Sequence, residues 1–80
     1  DIYAGSKEAI GREYLQGSGV PAEAAVMIGD SLHDAEVARA LGTRCILVAR
    51  GHQSRETLLQ AGVPVVASLR KAADWVLEQQ

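Results

Sequence analysis

The sequence predicts an α/β fold built on a parallel sheet. Three observations carry that prediction. Short aliphatic runs without polar alternation recur along the chain, as in strands buried on both faces. Each is followed by a segment whose apolar residues fall at helical spacing. The helical segments open on serines, and glycines close all but the last.

The elements follow in order. Ser6 reads as the N-cap of a first helix with Ile10, Tyr14 and Leu15 as its apolar stripe. Gly17-Ser18-Gly19 ends that helix, with Pro21 just beyond. Residues Val20 to Ala24 read as a short helical turn, and Ala25 to Ile28 as a buried strand. Ser31 caps a second helix, and Asp34 completes a capping box of the Ser-x-x-acid kind. Leu32, Ala35, Val37, Ala38 and Leu41 form its buried face, and Gly42 closes it in a left-handed conformation. Cys45 to Ala49 is the clearest strand, and Arg50-Gly51-His52-Gln53 is a loop. Ser54 caps a third helix carrying Leu58 and Leu59, which Gly62 closes. Val63 to Val66 is a third strand; Pro64 has no N–H for a ladder, so this strand belongs at a sheet edge. Ser68 caps the last helix, expected to bury Leu69, Ala72, Ala73, Val76 and Leu77, with Trp75 packing beside that stripe.

Strands alternating with helices imply right-handed crossovers and a parallel sheet. About three strands are expected, and the first helix must itself follow something, since Asp1-Ile2-Tyr3 is too short for a strand. Residues 1–80 therefore read as one half of a doubly wound, three-layer Rossmann-like domain.

Size and composition exclude several function classes. A chain of 80 residues buries only about 60% of the surface its unfolded form exposes, so its core is thin. That core is aliphatic, since the aromatics are Trp75, Tyr3 and Tyr14 alone. A net charge of −2 with no basic run argues against nucleic-acid binding. No apolar run reaches the length of a membrane span, and no signal peptide is recognisable. Cys45 is the one cysteine and sits in an apolar run, as a buried small hydrophobe does, so a cytoplasmic location is expected.

The chemistry concentrates in Val26-Met27-Ile28-Gly29-Asp30-Ser31-Leu32-His33-Asp34. An apolar strand runs into a glycine, and two carboxylates four positions apart follow at the mouth of a helix. Asp30 would point into the crevice at the carboxyl edge of the sheet. Asp34 lies at the third helical position, so both acids are expected to face one space. Mg2+ prefers one or two carboxylates, retained waters and a phosphate oxygen. The helix N-terminus is expected to add backbone N–H groups that favour an anion.

The same letters Gly29-Asp30-Ser31-Leu32 spell the signature of the GDSL-type serine esterases, in which the serine attacks. That chemistry needs a base near the nucleophile and donors for the oxyanion. The chain has no asparagine to complete such an oxyanion hole, and no Asp-x-x-His pair stands near its end to supply a base. The metal and phosphate reading is therefore preferred.

Gly29-Asp30-Ser31-Leu32-His33-Asp34 resembles the fourth motif, Gly-Asp-x-x-x-Asp, of the haloacid dehalogenase-like (HAD) hydrolases. Ala38, Ala40-Leu41-Gly42, Ile46-Leu47-Val48 and Gly51 resemble the family's run from that helix through the next strand and loop, and Val65 to Leu69 its final strand and helix start. Lys7, 23 positions before Asp30, suits the family's third-motif lysine, although Glu8 stands where a proline often follows. The resemblance covers nearly the whole chain. It points to the phosphoglycolate-phosphatase-like branch and to the C-terminal part of the core domain.

The resemblance implies a magnesium-dependent phosphatase acting on a small phosphorylated metabolite through an aspartyl-phosphate. Asp30 would be a Mg2+ ligand. Asp34 would be a second ligand, direct or through water, or would orient Asp30. Ser31 and Lys7 would bind phosphate, and Lys7 would serve catalysis by balancing charge. The family's attacking aspartate belongs to an Asp-x-Asp motif, which occurs nowhere in these 80 residues, and no cap is recognisable. The chain is accordingly expected to be inactive alone. Its first strand is expected to offer a bare edge, either to a missing N-terminal half or to a second copy. A haloacid dehalogenase is less favoured, because those enzymes need no metal. A non-catalytic binding fragment stays open as the alternative. His33 and His52 read as solvated, and Arg50 as either a surface residue or a phosphate contact at the sheet's carboxyl edge.

Overall fold

The computed structural model describes residues 2–51 and 53–79, and of residues 2–6 the backbone alone. Helix α1 (Ile2–Ser18) leads through a short 3-10 turn (Ala22–Ala24) into strand β1 (Val26–Gly29). Helix α2 (Leu32–Leu41), strand β2 (Arg44–Val48), helix α3 (Arg55–Leu59), strand β3 (Val65–Val66) and helix α4 (Leu69–Glu78) follow. The three strands form one parallel sheet in the order β1-β2-β3. The architecture is the expected α/β fold with a three-stranded parallel sheet and helices on both faces.

Alternation along the strands divides the core in two. Cys45 and Leu47 point to one face, where they pack with Ala35 and Ala38 of α2, Leu58 of α3 and Val65 of β3. Ile46 and Val48 point to the other, against Ala72 and the half-buried Trp75 of α4. Ile46, Leu47, Val48 and Leu58 are the largest fully buried side chains. Burying such aliphatic groups supplies about 1.5–3 kcal/mol each, which makes β2 the centre of stability.

The caps form largely as the serines foretell. The hydroxyls of Ser31, Ser54 and Ser68 accept from the backbone N–H groups of Asp34, Thr57 and Lys71. Gly42 closes α2 at φ 80°, and both its N–H and that of Thr43 donate to the Ala38 carbonyl. Pro64 stands just before β3, at the sheet edge, and its carbonyl accepts from the Leu47 N–H at 2.9 Å.

Four expectations need correction. Ser6 does not cap α1, which continues through it to Ile2, because no proline stands between those residues to stop the helix. Ile10 and Tyr14 of the expected stripe are 67% and 72% exposed. Leu15, the third residue of that stripe, does turn inward, in line with Lys7 and Gly11 at four-residue spacing, as α1 lies against α2. Leu69, Ala73 and Leu77 are likewise exposed, because α4 meets the sheet through the narrower line of Ala72, Trp75 and Val76. Strand bounds also shift: β1 and β2 each start and end one residue away from the expected bounds, and β3 keeps only its two ladder-paired valines.

Among the described residues, no helix is long and apolar enough to cross a membrane.

Candidate functional site

The site grows out of the register of β1 and β2. Gly29 stands opposite Leu47, so the two strands reach their carboxyl ends side by side. Asp30 follows β1 directly, and Arg50 lies two residues beyond the end of β2. Between them opens a cleft of about 370 Å³. Lys7, Asp30, Asp34 and Arg50 line it together with Ile28 and Leu69. Three of the four residues expected to carry function therefore share one cavity. The fourth, Ser31, is not among those lining residues.

Asp34 organises this end of the sheet. Its carboxylate is 5% exposed and accepts from three groups. The Lys7 ammonium donates to Oδ1 at 3.0 Å. The Asp30 backbone N–H donates to Oδ2 at 2.9 Å, and the Ser31 hydroxyl to the same oxygen at 3.2 Å. Burial pushes the Asp34 carboxyl upward, but the Asp30 N–H, the Lys7 ammonium and the Ser31 hydroxyl outweigh it and hold the group below its ordinary value. Asp34 is therefore an anion at neutral pH, tied to α1 by Lys7 and to the β1–α2 turn by Asp30.

This corrects the capping-box expectation. In a capping box the acid reaches back to the N-cap residue's own backbone N–H. Asp34 reaches one residue further, to Asp30, and so fixes the backbone of the residue that presents the other carboxylate. Gly29 permits that approach. A Cβ there would overlap the Asp34 side chain, standing 2.6 Å from Oδ2 and 2.7 Å from Cγ. The glycine of the Gly-Asp-x-x-x-Asp pattern is thus a space requirement.

The start of α2 is less open to an anion than its sequence implies. The Asp30 N–H goes to Asp34 and the Asp34 N–H to the Ser31 hydroxyl, while the Leu32 N–H donates to Gln53 Oε1 at 2.8 Å. Internal acceptors thereby satisfy three of the donors that a ligand could have used. Gln53 was not singled out by the sequence. A polar residue in a loop carries no signal that it will reach a helix 21 positions away.

The histidines divide. His52 lies outside the described residues. His33 is half-buried, not solvated: its Nδ1 stands 3.6 Å from Glu36 Oε2, and its Nε2 is closed off without a hydrogen-bond partner among the described residues. Cys45 is buried as expected, and burial together with the negative charge of Asp34 pushes its thiol up to about 11.

The donor set can be tested against a divalent cation. No hydrogen bond engages the Asp30 carboxylate among the described residues, and it lines the cleft, as a ligand oxygen for a hard cation should. Asp34 already accepts from three groups, which leaves little of its oxygen capacity. Among the described residues no three His, Cys, Asp or Glu side chains gather around one point. The chain thus offers one available carboxylate and one committed one. That fits an ion such as Mg2+, which keeps waters and takes a ligand's oxygens for its remaining positions.

No curated protein and no solved structure matches the chain. A family model described as HAD-hydrolase-like matches residues 6–72, a span that runs from just before Lys7 to Ala72 in α4 and includes Asp30, Asp34 and Arg50. The chain belongs to the HAD-hydrolase-like family.

Proposed function

We propose that the chain carries the metal-binding and charge-balancing part of a Mg2+-dependent phosphohydrolase site for small phosphorylated metabolites. The observation behind this reading is the pairing of a cleft carboxylate, Asp30, with a buried carboxylate, Asp34, that holds its backbone in place. Membership in a hydrolase family supports the reaction class. In this reading Asp30 is the direct ligand. Asp34 is its positioning residue and leaves the first coordination sphere to Asp30, water and phosphate. Lys7 balances Asp34 and lends positive character to the cleft wall, where an incoming phosphate passes. Ser31 steadies Asp34 through its hydroxyl. When bound, the cation would neutralise phosphate charge as a Lewis acid.

Phosphoryl transfer further requires a group that attacks phosphorus, and positioning cannot replace it. The family's attacking aspartate has no counterpart among these 80 residues, so the chain is inactive until another segment or chain supplies one. The outer edge of β1, which has no partner strand among the described residues, is where a strand bearing that residue would pair.

Two measurements test the proposal. Calorimetric titration with Mg2+ should show uptake by the wild-type chain and none by Asp30→Asn. Purified chain should leave p-nitrophenyl phosphate intact. Steady hydrolysis that disappears in Asp30→Ala would refute the inactivity, and equal Mg2+ uptake by Asp30→Asn would refute the ligand assignment.

A further inference from the structure

The cleft carries four charged side chains, and their commitments differ. Lys7 is engaged by Asp34 across 3.0 Å. Asp34 is buried and saturated with donors. Asp30 is the available acid. Arg50 is the second cation of the lining, exposed, with no hydrogen bond or ion pair among the described residues. The α2 N-terminus, the other natural source of anion donors here, has three N–H groups occupied internally. The capacity to bind an oxyanion directly therefore passes to Arg50.

Its placement is built. Arg50 lies two residues past the end of β2, and Gly51 turns the chain there with φ 91°, a conformation that favours glycine. Two residues later the Gln53 Oε1 accepts a hydrogen bond from the Leu32 N–H at 2.8 Å and so pins the loop to the start of α2. The loop that presents Arg50 is thereby tied to the helix that follows Asp30. A guanidinium suits phosphate because its planar fork can donate two parallel hydrogen bonds.

We infer that Arg50 is the oxyanion-recognising residue of the cleft, donating from its guanidinium to phosphate oxygens, with Gln53 as the positioning residue that holds its loop. This rests on the reading of the cleft as a metal and phosphate site but assigns a residue that the family motif does not include.

The test titrates inorganic phosphate into the whole chain, with and without saturating Mg2+, and follows amide chemical shifts. Wild-type protein should show shifts at Arg50 and Gly51. Arg50→Ala should weaken phosphate binding about tenfold or more, as loss of a charge-assisted contact does, and Arg50→Lys should recover part of it. Gln53→Ala should weaken it less, while Gln53→Glu, which keeps an acceptor for the Leu32 N–H, should retain the amide shifts of the 50–53 loop. Mg2+ uptake measured separately should be the same in Arg50→Ala and wild type. Phosphate binding unchanged in Arg50→Ala, or absent from the wild type, overturns the inference. Loss of Mg2+ uptake in the wild type instead overturns the metal assignment, and the phosphate arm without Mg2+ still reads Arg50.

Discussion

The buried carboxylate of Asp34 accepts the backbone N–H of Asp30 at 2.9 Å. One acid thus holds the other in place, and the two occupy different environments. Asp34 is enclosed and compensated by Lys7, whereas Asp30 faces the cleft. Such a division lets a carboxylate be presented at fixed geometry without also having to satisfy the fold.

The first consequence concerns Gly29. Gly29→Ala should destabilise the chain by about 1–3 kcal/mol, because the added Cβ overlaps Asp34 and the strand cannot move without breaking its pairing to β2. Urea unfolding followed by circular dichroism reads this as a lower midpoint. An unchanged midpoint would show that Asp34 is not held as described.

The donors around Asp34 make the fold sensitive to its removal. Asp34→Ala removes the acceptor of the Asp30 N–H and one ion pair of Lys7 and should cost about 1–3 kcal/mol. Lys7→Met should cost less, since the Lys7 side chain is 41% exposed, but should raise the Asp34 pKa. Thermal unfolding and carboxyl NMR titration measure the two effects.

The two shifted groups give stability an acid and an alkaline limb. Asp34 titrates below its ordinary value in the folded chain, so its contribution is complete above that ordinary value and is lost as pH falls through the lowered one. Cys45 is raised from 9.0 to about 11, so its contribution is complete below pH 9.0 and is lost as pH rises toward about 11. Urea midpoints across pH should fall at both ends. Lys7→Met should move the acid decline to higher pH, and Cys45→Ala should remove the alkaline component.

The open side of the sheet yields a prediction about size. The outer edge of β1 has no partner strand among the described residues, and Ile28 is 43% exposed beside it. An apolar groove of about 330 Å³ lies between α1, β1 and α2, lined by Ile10, Tyr14 and Leu41. Light scattering of the isolated chain should give a mass above 8.5 kDa that rises with concentration. A constant mass of 8.5 kDa would remove strand pairing as the fate of this edge.

What the sequence made legible follows from which signals are local. The caps at Ser31, Ser54 and Ser68, the left-handed Gly42 and the aliphatic run of β2 depend on neighbours a few residues away, and each stands where those letters place it; Ser6, which lies inside α1, is the exception. The family resemblance likewise rests on a contiguous motif and holds. Helix faces were less legible. Ile10, Leu69 and Leu77 have the spacing of buried residues, but whether a neighbour covers them depends on packing partners that periodicity does not name. At the site, the resemblance set Lys7 beside phosphate and gave no sign of its bond to Asp34, and the Gln53 contact was not legible at all, because a long-range side-chain bond leaves no local trace. The distance that separates a capping box from the Asp34–Asp30 bond is one residue of backbone, below what a letter pattern resolves.

The central claim is that Asp30 is the cleft's metal ligand and Asp34 its support. Mn2+ added in trace amounts as a paramagnetic stand-in for Mg2+ tests it residue by residue. Broadening of amide resonances should centre on Asp30 and its neighbours Gly29 and Ser31, should be displaced by excess Mg2+, and should vanish in Asp30→Asn while the amide spectrum elsewhere stays folded. Broadening centred away from the β1–α2 turn, or undiminished in a folded Asp30→Asn chain, would contradict it.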